Sequence, residues 1–150
     1  MVATIVKAGA RKPLNVLGMP LTMLCEASET GGSWSLFEEV VPLGMGPPAH
    51  RHDWDEAYYI LDGQLEFTID GDAVTSCPGD FNYLPRGTVH GFKGVSDSPA
   101  RVLIFASPAH GSEFFEDISE QVRHVPDDLA KIPAIGRRHG IEFMSARTST

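Results

Sequence analysis

Turn-forming residues recur throughout residues 16–107, and this recurrence constrains the fold more than any other feature of the sequence. Asp62-Gly63 and Asp70-Gly71 are typical hairpin turns, and Pro78-Gly79-Asp80 and Pro85-Arg86-Gly87 are further tight turns. A spacing of about 8–12 residues between turns is typical of a β-sandwich or β-barrel. The 15 glycines and 11 prolines among 150 residues exceed the share of an ordinary globular chain. This excess favours many short strands over a few long helices.

The runs between these turns are rich in β-forming residues. Trp34–Pro42 is the strongest strand candidate, and Gln64–Asp70 alternates apolar with polar residues. Val16–Cys25 is predicted to be a strand that Gly18 and Pro20 interrupt.

The pattern changes after residue 107, and the chain divides into three parts. We expect an N-terminal arm over residues 1–15, a β-barrel core over about residues 16–107 and a helical tail over residues 108–150. In the tail, a short helix begins at Ser112, a second begins at Asp127 or Asp128, and Gly136 and Gly140 flank a last short turn. Because about 40 residues are too few for an independent core, residues 1–150 are expected to form a single domain.

The charge and cysteine content exclude several classes of protein. The chain has 20 acidic and 12 basic residues, a net charge of −8 and no basic tract, which argues against nucleic acid or an anionic membrane as a partner. Cys25 and Cys77 form neither a disulfide framework nor a Cys-x-x-Cys motif. No apolar run has the length of a signal peptide, or of the about 18 residues that span a bilayer. We therefore expect a cytoplasmic protein.

His50 and His52 are two residues apart, and they are the most informative pair in the chain. In a strand, residues i and i+2 face the same way, so both imidazoles are directed at one point. Glu56 lies further along the same face, and His90 follows the turn at residues 85–87 on another strand. Two antiparallel hairpins of a small barrel could bring His90 opposite the pair. The result would be three imidazoles and one carboxylate.

This set of side chains suits one divalent transition metal, namely Fe, Mn, Ni, Co, Cu or Zn. The absence of a thiolate argues against a closed structural zinc site, and four ligands leave positions open for substrate, water or dioxygen. Taken singly, each residue has an ordinary interpretation: a His-x-His pair recurs by chance, and an isolated His90 is typical of a hydrogen-bonded strand residue. Arg51 and Arg86 flank ligand positions and are expected to point away from the metal.

The histidines and the glycines and proline around them resemble the two motifs of the cupin superfamily. The first motif, G-x5-H-x-H-x3-E-x6-G, is matched by Gly44, His50, His52, Glu56 and Gly63. The second motif, G-x5-P-x-G-x2-H-x3-N, is matched by Gly79, Pro85, Gly87 and His90, with Gly94 in place of the final Asn. The two motifs cover residues 44–94, and the β pattern extends the resemblance to about Ser107.

The resemblance implies an all-β fold: a double-stranded β-helix, or jelly-roll barrel, with a short C-terminal helical appendix. It also implies that a metal lies inside one mouth of the barrel, with His50, His52, Glu56 and His90 as its ligands. The resemblance further implies a homodimer. Single-domain cupins often form one by exchanging N-terminal strands, and residues 1–16 suit that role. Ser107–Phe115 and Ile135–Phe143 resemble segments of bacterial cupins described as quercetin-2,3-dioxygenase-like.

The function that the resemblance implies is a metal-dependent oxygenase acting with dioxygen on a small aromatic or enolisable substrate. Glu56 is the candidate catalytic residue, because a carboxylate beside the metal can accept the substrate's proton. The candidate substrate pocket consists of Met45, Tyr58, Phe92, Phe105, Phe114 and Phe115. Tyr58 is the best candidate of this set, because it lies two residues after Glu56 and therefore faces the same side of the strand. For each residue of the set, packing in the barrel core is the alternative interpretation.

Two other functions remain open from the sequence. The same site could act as a Lewis acid in an isomerase, cyclase or lyase that uses no oxygen. Alternatively, the barrel could bind a metal or a small ligand without catalysis. His110, His124 and His139 are expected at the surface, and among them His110 is expected nearest the mouth of the barrel.

Overall fold

The computed structural model describes residues 2–144 of the chain. Within this range, eleven strands form two antiparallel sheets, ordered β1-β2-β3-β10-β5-β8 and β11-β4-β9-β6-β7. The strands are β1 (Leu14–Val16), β2 (Met19–Cys25), β3 (Ser35–Val41), β4 (His50–His52), β5 (Asp55–Asp62), β6 (Leu65–Ile69), β7 (Asp72–Ser76), β8 (Phe81–Leu84), β9 (His90–Gly94), β10 (Ala100–Ser107) and β11 (Ile141–Phe143). The predicted jelly-roll fold with a short C-terminal helical appendix is confirmed.

The core lies between the two sheets, and strand alternation builds it. In β3 every second residue, from Ser35 to Val41, is buried, and β10 alternates in the same way. The inward side chains of both sheets meet in one cluster that includes Leu21, Ile60 and Phe67, each fully buried. Burial of these apolar side chains is the main source of stability, at about 25 cal/mol per Å².

Two glycines allow the chain to pass close to neighbouring backbone. A Cβ atom on Gly46 would lie 1.9 Å from the carbonyl oxygen of Phe92, and one on Gly63 would lie 2.7 Å from the Cα of Ala100. No other residue fits at either position. Gly46 therefore lets the connection before β4 lie against β9, and this contact helps to hold the two histidine-bearing strands together.

The helices are short and serve mainly to cover the barrel. They are α1 (Ala27–Thr30), α2 (Ser112–Gln121), a 3₁₀ turn (Leu129–Lys131) and α3 (Ile132–Arg138). Ile118 of α2 and Ile135 of α3 are buried in the same cluster as the barrel strands, so the tail shares the barrel's core. None of the helices within residues 2–144 is long and apolar enough to cross a bilayer.

The end of the described chain differs from the sequence prediction. We expect only a short turn after Gly136, whereas Ile141–Phe143 forms β11 and pairs with β4, opposite His52 and His50. Three residues are too few to show a periodicity, and their partner lies about 90 residues earlier in the chain. The tail therefore contributes a strand beside the histidines as well as helices.

The region around Gly18 also differs in detail. Instead of one interrupted strand over Val16–Cys25, the structure has a hairpin in which Leu17 and Gly18 both have positive φ. Two such residues form the type of turn that matches the twist of a hairpin. Strand β1 consequently begins at Leu14, inside the expected arm.

Candidate metal centre

The structure brings His50, His52 and His90 together at one end of the barrel interior. His50 and His52 point inward from β4, and His90 lies directly opposite His50 on β9. All three are buried, and one ring nitrogen of each lies within 4.8 Å of the other two. Arg51, between the first two, points outward, where its Nε lies 2.8 Å from a carboxylate oxygen of Glu142. We call the three histidines the histidine cluster.

Each ring of the histidine cluster is held in the same way. Its Nδ1 atom donates to a main-chain carbonyl two residues away: Pro48 for His50 (2.8 Å), Trp54 for His52 (3.1 Å) and Thr88 for His90 (2.9 Å). A carbonyl oxygen only accepts, so in each neutral ring Nδ1 carries the hydrogen and Nε2 carries the free lone pair. Metal-binding histidines in proteins are commonly oriented by this kind of contact.

Glu56, on β5 of the opposite sheet, completes the group. Its two carboxylate oxygens lie 3.3 Å from Nε2 of His52 and 3.3 Å from Nε2 of His90. The Tyr58 hydroxyl donates to one of these oxygens, and the Trp54 Nε1 donates to the other at 3.2 Å.

The Nε2 lone pairs of His52 and His90 face the two oxygens of the Glu56 carboxylate. Nε2 of His52 is fully buried and has no hydrogen-bond partner within residues 2–144. Unpaired nitrogen lone pairs facing a carboxylate repel each other unless a cation or a proton lies between them. A divalent ion satisfies all of these atoms at once, so the donor set fits a transition metal.

The pKa values of the groups in this site shift in different directions. Burial, together with the charge that His90 can carry, lowers the pKa of His50 to about 4, so this ring is neutral at pH 7. Burial alone would raise the pKa of Glu56, but its interactions with His52 and His90 outweigh burial and hold that pKa well below its ordinary value. Burial and the charge of Glu56 raise the pKa of Tyr58 well above its ordinary value. Burial alone would lower the pKa of His90, but its interaction with Glu56 outweighs burial and raises that pKa. A metal binds the neutral ring, so metal binding would displace a proton held on His90.

An apolar cavity of about 120 Å³ adjoins the histidine cluster. Tyr58 and three of the predicted phenylalanines, Phe92, Phe114 and Phe115, lie in its wall. Helix α2 supplies the last two and covers the cavity from one side.

Two residues of the predicted pocket lie elsewhere. Phe105 is on the outer face of β10, where it is 38% exposed and stacks on Trp34 with ring centroids 5.8 Å apart. The strand alternation explains this position, because Ile104 and Ala106 on either side point inward. Met45 lies in the connection before β4, packed beside Gly18, and does not line the cavity.

Trp54 is a site residue that the sequence analysis does not identify. Its ring lies between His52 and His110, nearly parallel to both, with centroid distances of 3.9 and 4.0 Å. His110 is thereby placed in the wall of the cavity, while His139 lies beyond it and contacts Asp117 at 2.6 Å. The sequence indicates this position only through spacing: Trp54 lies two residues after His52, as His52 lies two residues after His50.

Glu39 is a second site residue that the sequence analysis does not identify. It is 5% exposed, on the inward face of β3, and lies in the cavity wall. Burial, and to a smaller extent the charge of Glu56, raise the pKa of Glu39 to about 8. The sequence does contain an indication of this position. In the Trp34–Pro42 run, Glu39 lies two residues from both Phe37 and Val41, so a charged residue shares the face of two apolar ones.

The fold and the site together define a cupin barrel with a histidine cluster at one end. The chain belongs to the cupin superfamily, and residues 36–106 match the cupin domain family. An uncharacterized protein of Methanocaldococcus jannaschii is 32% identical over 84 residues, which are 55% of this chain and 67% of that protein. The quercetin 2,3-dioxygenase of Bacillus subtilis is 36% identical over 108 residues, 69% of this chain but only 31% of that enzyme.

Solved structures show the same fold. The polyketide cyclase RemF of Streptomyces resistomycificus superposes with a TM-score of 0.63 and 22% identity, over 71% of this chain and 80% of that one. At this level of identity the similarity concerns the architecture alone.

Proposed function

We propose that the protein is a metal-dependent oxygenase that acts on a small aromatic or enolisable compound. The observation that carries this proposal is the convergence of three buried histidines and the Glu56 carboxylate beside an apolar cavity. The similarity to the bacterial quercetin dioxygenase supports the choice of an oxygenase.

The residues that would hold the metal are His50, His52, His90 and Glu56. When bound, a divalent transition metal would lower the pKa of a substrate hydroxyl and make reaction with dioxygen accessible. Four protein ligands leave room for a substrate oxygen beside them.

Glu56 is the group that would move the proton. Its low pKa keeps it ionised at neutral pH, and a carboxylate next to the substrate hydroxyl can accept the hydrogen that this hydroxyl loses. The O–H of Tyr58 and the N–H of Trp54 both donate to this carboxylate, so they fix its orientation. Tyr58 remains protonated because its pKa is raised.

The cavity sets the size of the substrate. A buried cavity of about 150 Å³ holds benzene in another protein, so about 120 Å³ corresponds to a single ring or a short enolisable chain. Phe37, Phe114 and Phe115 give the cavity an apolar wall that excludes water and packs against a ring.

The proposal is tested by measuring bound metal and dioxygen uptake on the purified protein. Each candidate metal is restored in turn, and the substrates are single-ring catechols, simple enediols and flavonols. We expect dioxygen consumption that needs the metal, with single-ring compounds turned over faster than flavonols. If no metal supports uptake with any of these compounds, the oxygenase proposal is wrong.

A second candidate function is a Lewis-acid isomerase, cyclase or lyase. The direct hydrogen bond between Tyr58 and Glu56 favours it, since the pair offers an acid and a base for proton transfer without oxygen. Conversion of an enolisable carbonyl compound under anaerobic conditions, with the same metal dependence, would decide for this alternative.

We also propose that residues 1–150 act as one domain that forms a homodimer through the N-terminal arm. Arg11 ties the arm to Glu29 at 2.6 Å, whereas Val2 and Ile5 beyond it are largely exposed. Deleting residues 2–7 should convert a dimer to a monomer in sedimentation analysis. A monomer before the deletion contradicts this proposal.

A further inference from the structure

Glu39 is a buried carboxyl group for which the proposed chemistry has no use so far. It lies in the middle of β3, paired with Leu21 of β2 on one side and Val102 of β10 on the other. Both neighbours are fully buried apolar residues. The strand pairing therefore places no cation and no donor side chain beside Glu39.

The carboxyl group of Glu39 lacks a hydrogen-bond partner in the described part of the chain. Among residues 2–144, no group donates a hydrogen bond to it, and only burial and the charge of Glu56 act on its pKa. An unpartnered buried carboxyl group is costly, and most polar groups in protein interiors find a partner. Because Glu39 lies in the cavity wall, a molecule in the cavity can supply that partner.

The strand register gives the position of Glu39 relative to the histidine cluster. Across β3, β10 and β5, the inward residues form three successive rows: Ser35–Ala106–Glu56, Phe37–Ile104–Tyr58 and Glu39–Val102–Ile60. Glu56 and Glu39 therefore lie at opposite ends, with the row of Phe37 and Tyr58 between them. The cavity thus has a metal-binding end, an apolar middle and a single carboxyl group at its far end.

We propose that Glu39 forms a second polar subsite, where its carboxyl group hydrogen-bonds an oxygen of the substrate at the end remote from the histidine cluster. The substrate class that fits is a single apolar ring with a metal-binding oxygen at one end and a carbonyl or hydroxyl oxygen at the other. This inference rests on the proposed function, because it takes the cavity as the substrate site.

The protonation of Glu39 selects the kind of oxygen. A carboxyl group whose pKa is about 8 is mostly protonated at pH 7, so it can donate a hydrogen bond to a carbonyl oxygen. A methyl group at the same point of the substrate would leave this donor unpaired, which favours the oxygenated compound.

The test compares two catechols that differ only at the remote end, 3,4-dihydroxybenzaldehyde and 4-methylcatechol. Binding to the Zn²⁺-loaded protein is measured by calorimetry under anaerobic conditions at pH 7, so that no turnover is needed. The two catechols differ in intrinsic affinity for the metal, and this difference cancels when the protein variants are compared.

We expect Glu39→Leu to lower the preference for the aldehyde by about fivefold to tenfold, the value of one hydrogen bond, while 4-methylcatechol binding stays within twofold. Glu39→Gln, which keeps a donor and the shape, should retain much of the preference even if the leucine variant folds poorly. Glu38→Leu is the matched control, because Glu38 is the next residue of β3 and pairs with Arg101 on the outer face at 2.9 Å.

The outcomes separate the subsite from the proposed function. If the preference for the aldehyde is the same in wild type, Glu39→Leu and Glu39→Gln, the subsite is wrong while the proposed substrate site stands. If the Zn²⁺-loaded wild type binds neither catechol, the proposed function is wrong, and the subsite falls with it.

Discussion

The barrel contains two buried carboxyl groups on the same sheet, and their properties are opposite. Glu56 is 8% exposed and Glu39 is 5% exposed, so depth in the protein does not distinguish them. The pKa of Glu56 is held well below its ordinary value, whereas that of Glu39 is raised to about 8. Two imidazoles lie beside Glu56, whereas the strand partners of Glu39 are the apolar residues Leu21 and Val102. The neighbours of a buried acid, more than its burial, therefore set its charge in this protein.

The largest expected effect follows from removing a ring of the histidine cluster. His50→Ala or His90→Ala deletes one of three imidazole ligands, so we expect bound metal to fall below about a tenth of the wild-type content. Elemental analysis of the purified proteins measures this. Arg51→Ala is the control, because Arg51 lies on the same strand and points outward. Unchanged metal content in both histidine variants would contradict the ligand assignment.

The next effect concerns stability and pH at the Glu39 end. The folded protein holds a proton on Glu39 up to a pKa of about 8, whereas the unfolded chain releases it near 4.5, so wild type loses stability as pH rises between these values. Glu39→Gln removes this loss. We expect the free energy of unfolding of the variant, relative to that of wild type, to rise by up to about 5 kcal/mol between pH 4.5 and pH 8.5. Urea unfolding of the metal-free proteins at both pH values measures the gain, and a difference independent of pH would contradict it.

Glu56→Gln should act on the metal and spare the far end of the cavity. It keeps the shape of the side chain but removes the negative charge of the proposed ligand, so we expect metal affinity to fall by at least about 100-fold, the upper end of the loss for a group that only supports a ligand. Competition with a chelator measures the affinity. Glu39→Gln should leave it within about twofold, and equal losses in the two variants would remove the distinction between the two carboxyl groups.

The smallest expected effect comes from Tyr58→Phe. The variant loses the hydrogen bond to Glu56, so metal affinity should fall by about fivefold, the value of roughly 1 kcal/mol. Tyr59→Phe is the matched control, since Tyr59 is the next residue of β5 and is 45% exposed. An equal effect of both substitutions would show that the hydroxyl of Tyr58 does not support the carboxylate.

The sequence was informative where the relevant structure is local. The alternation of His50, Arg51 and His52 follows from a single strand, and the turn before His90 sets the start of another. These local features, together with the regular turns, predict a β-sandwich or β-barrel and group the histidines, and the resemblance to the two cupin motifs implies the jelly-roll form.

What the sequence did not reveal depends on pairing between distant segments. Phe105 follows Ile104 in a strand whose residues are largely apolar on both faces, so parity alone does not show which side points inward. The residues of β3 alternate between its two faces, but only the pairing of β3 with β2 and β10 shows that the face of Glu39 is the inner one. Strand β11 is recognisable only from its partner β4.

The pairing of β11 with β4 also has a consequence for the order of synthesis. On the ribosome, the strands from β1 to β10 all emerge before Ile141–Phe143. Until then β4, which carries His50 and His52, has one unpaired edge. An open strand edge is a template for pairing with another chain, so until then the nascent protein is exposed to misassociation at the strand that carries His50 and His52. Closure of that edge and completion of the barrel's end coincide with the synthesis of Ile141–Phe143.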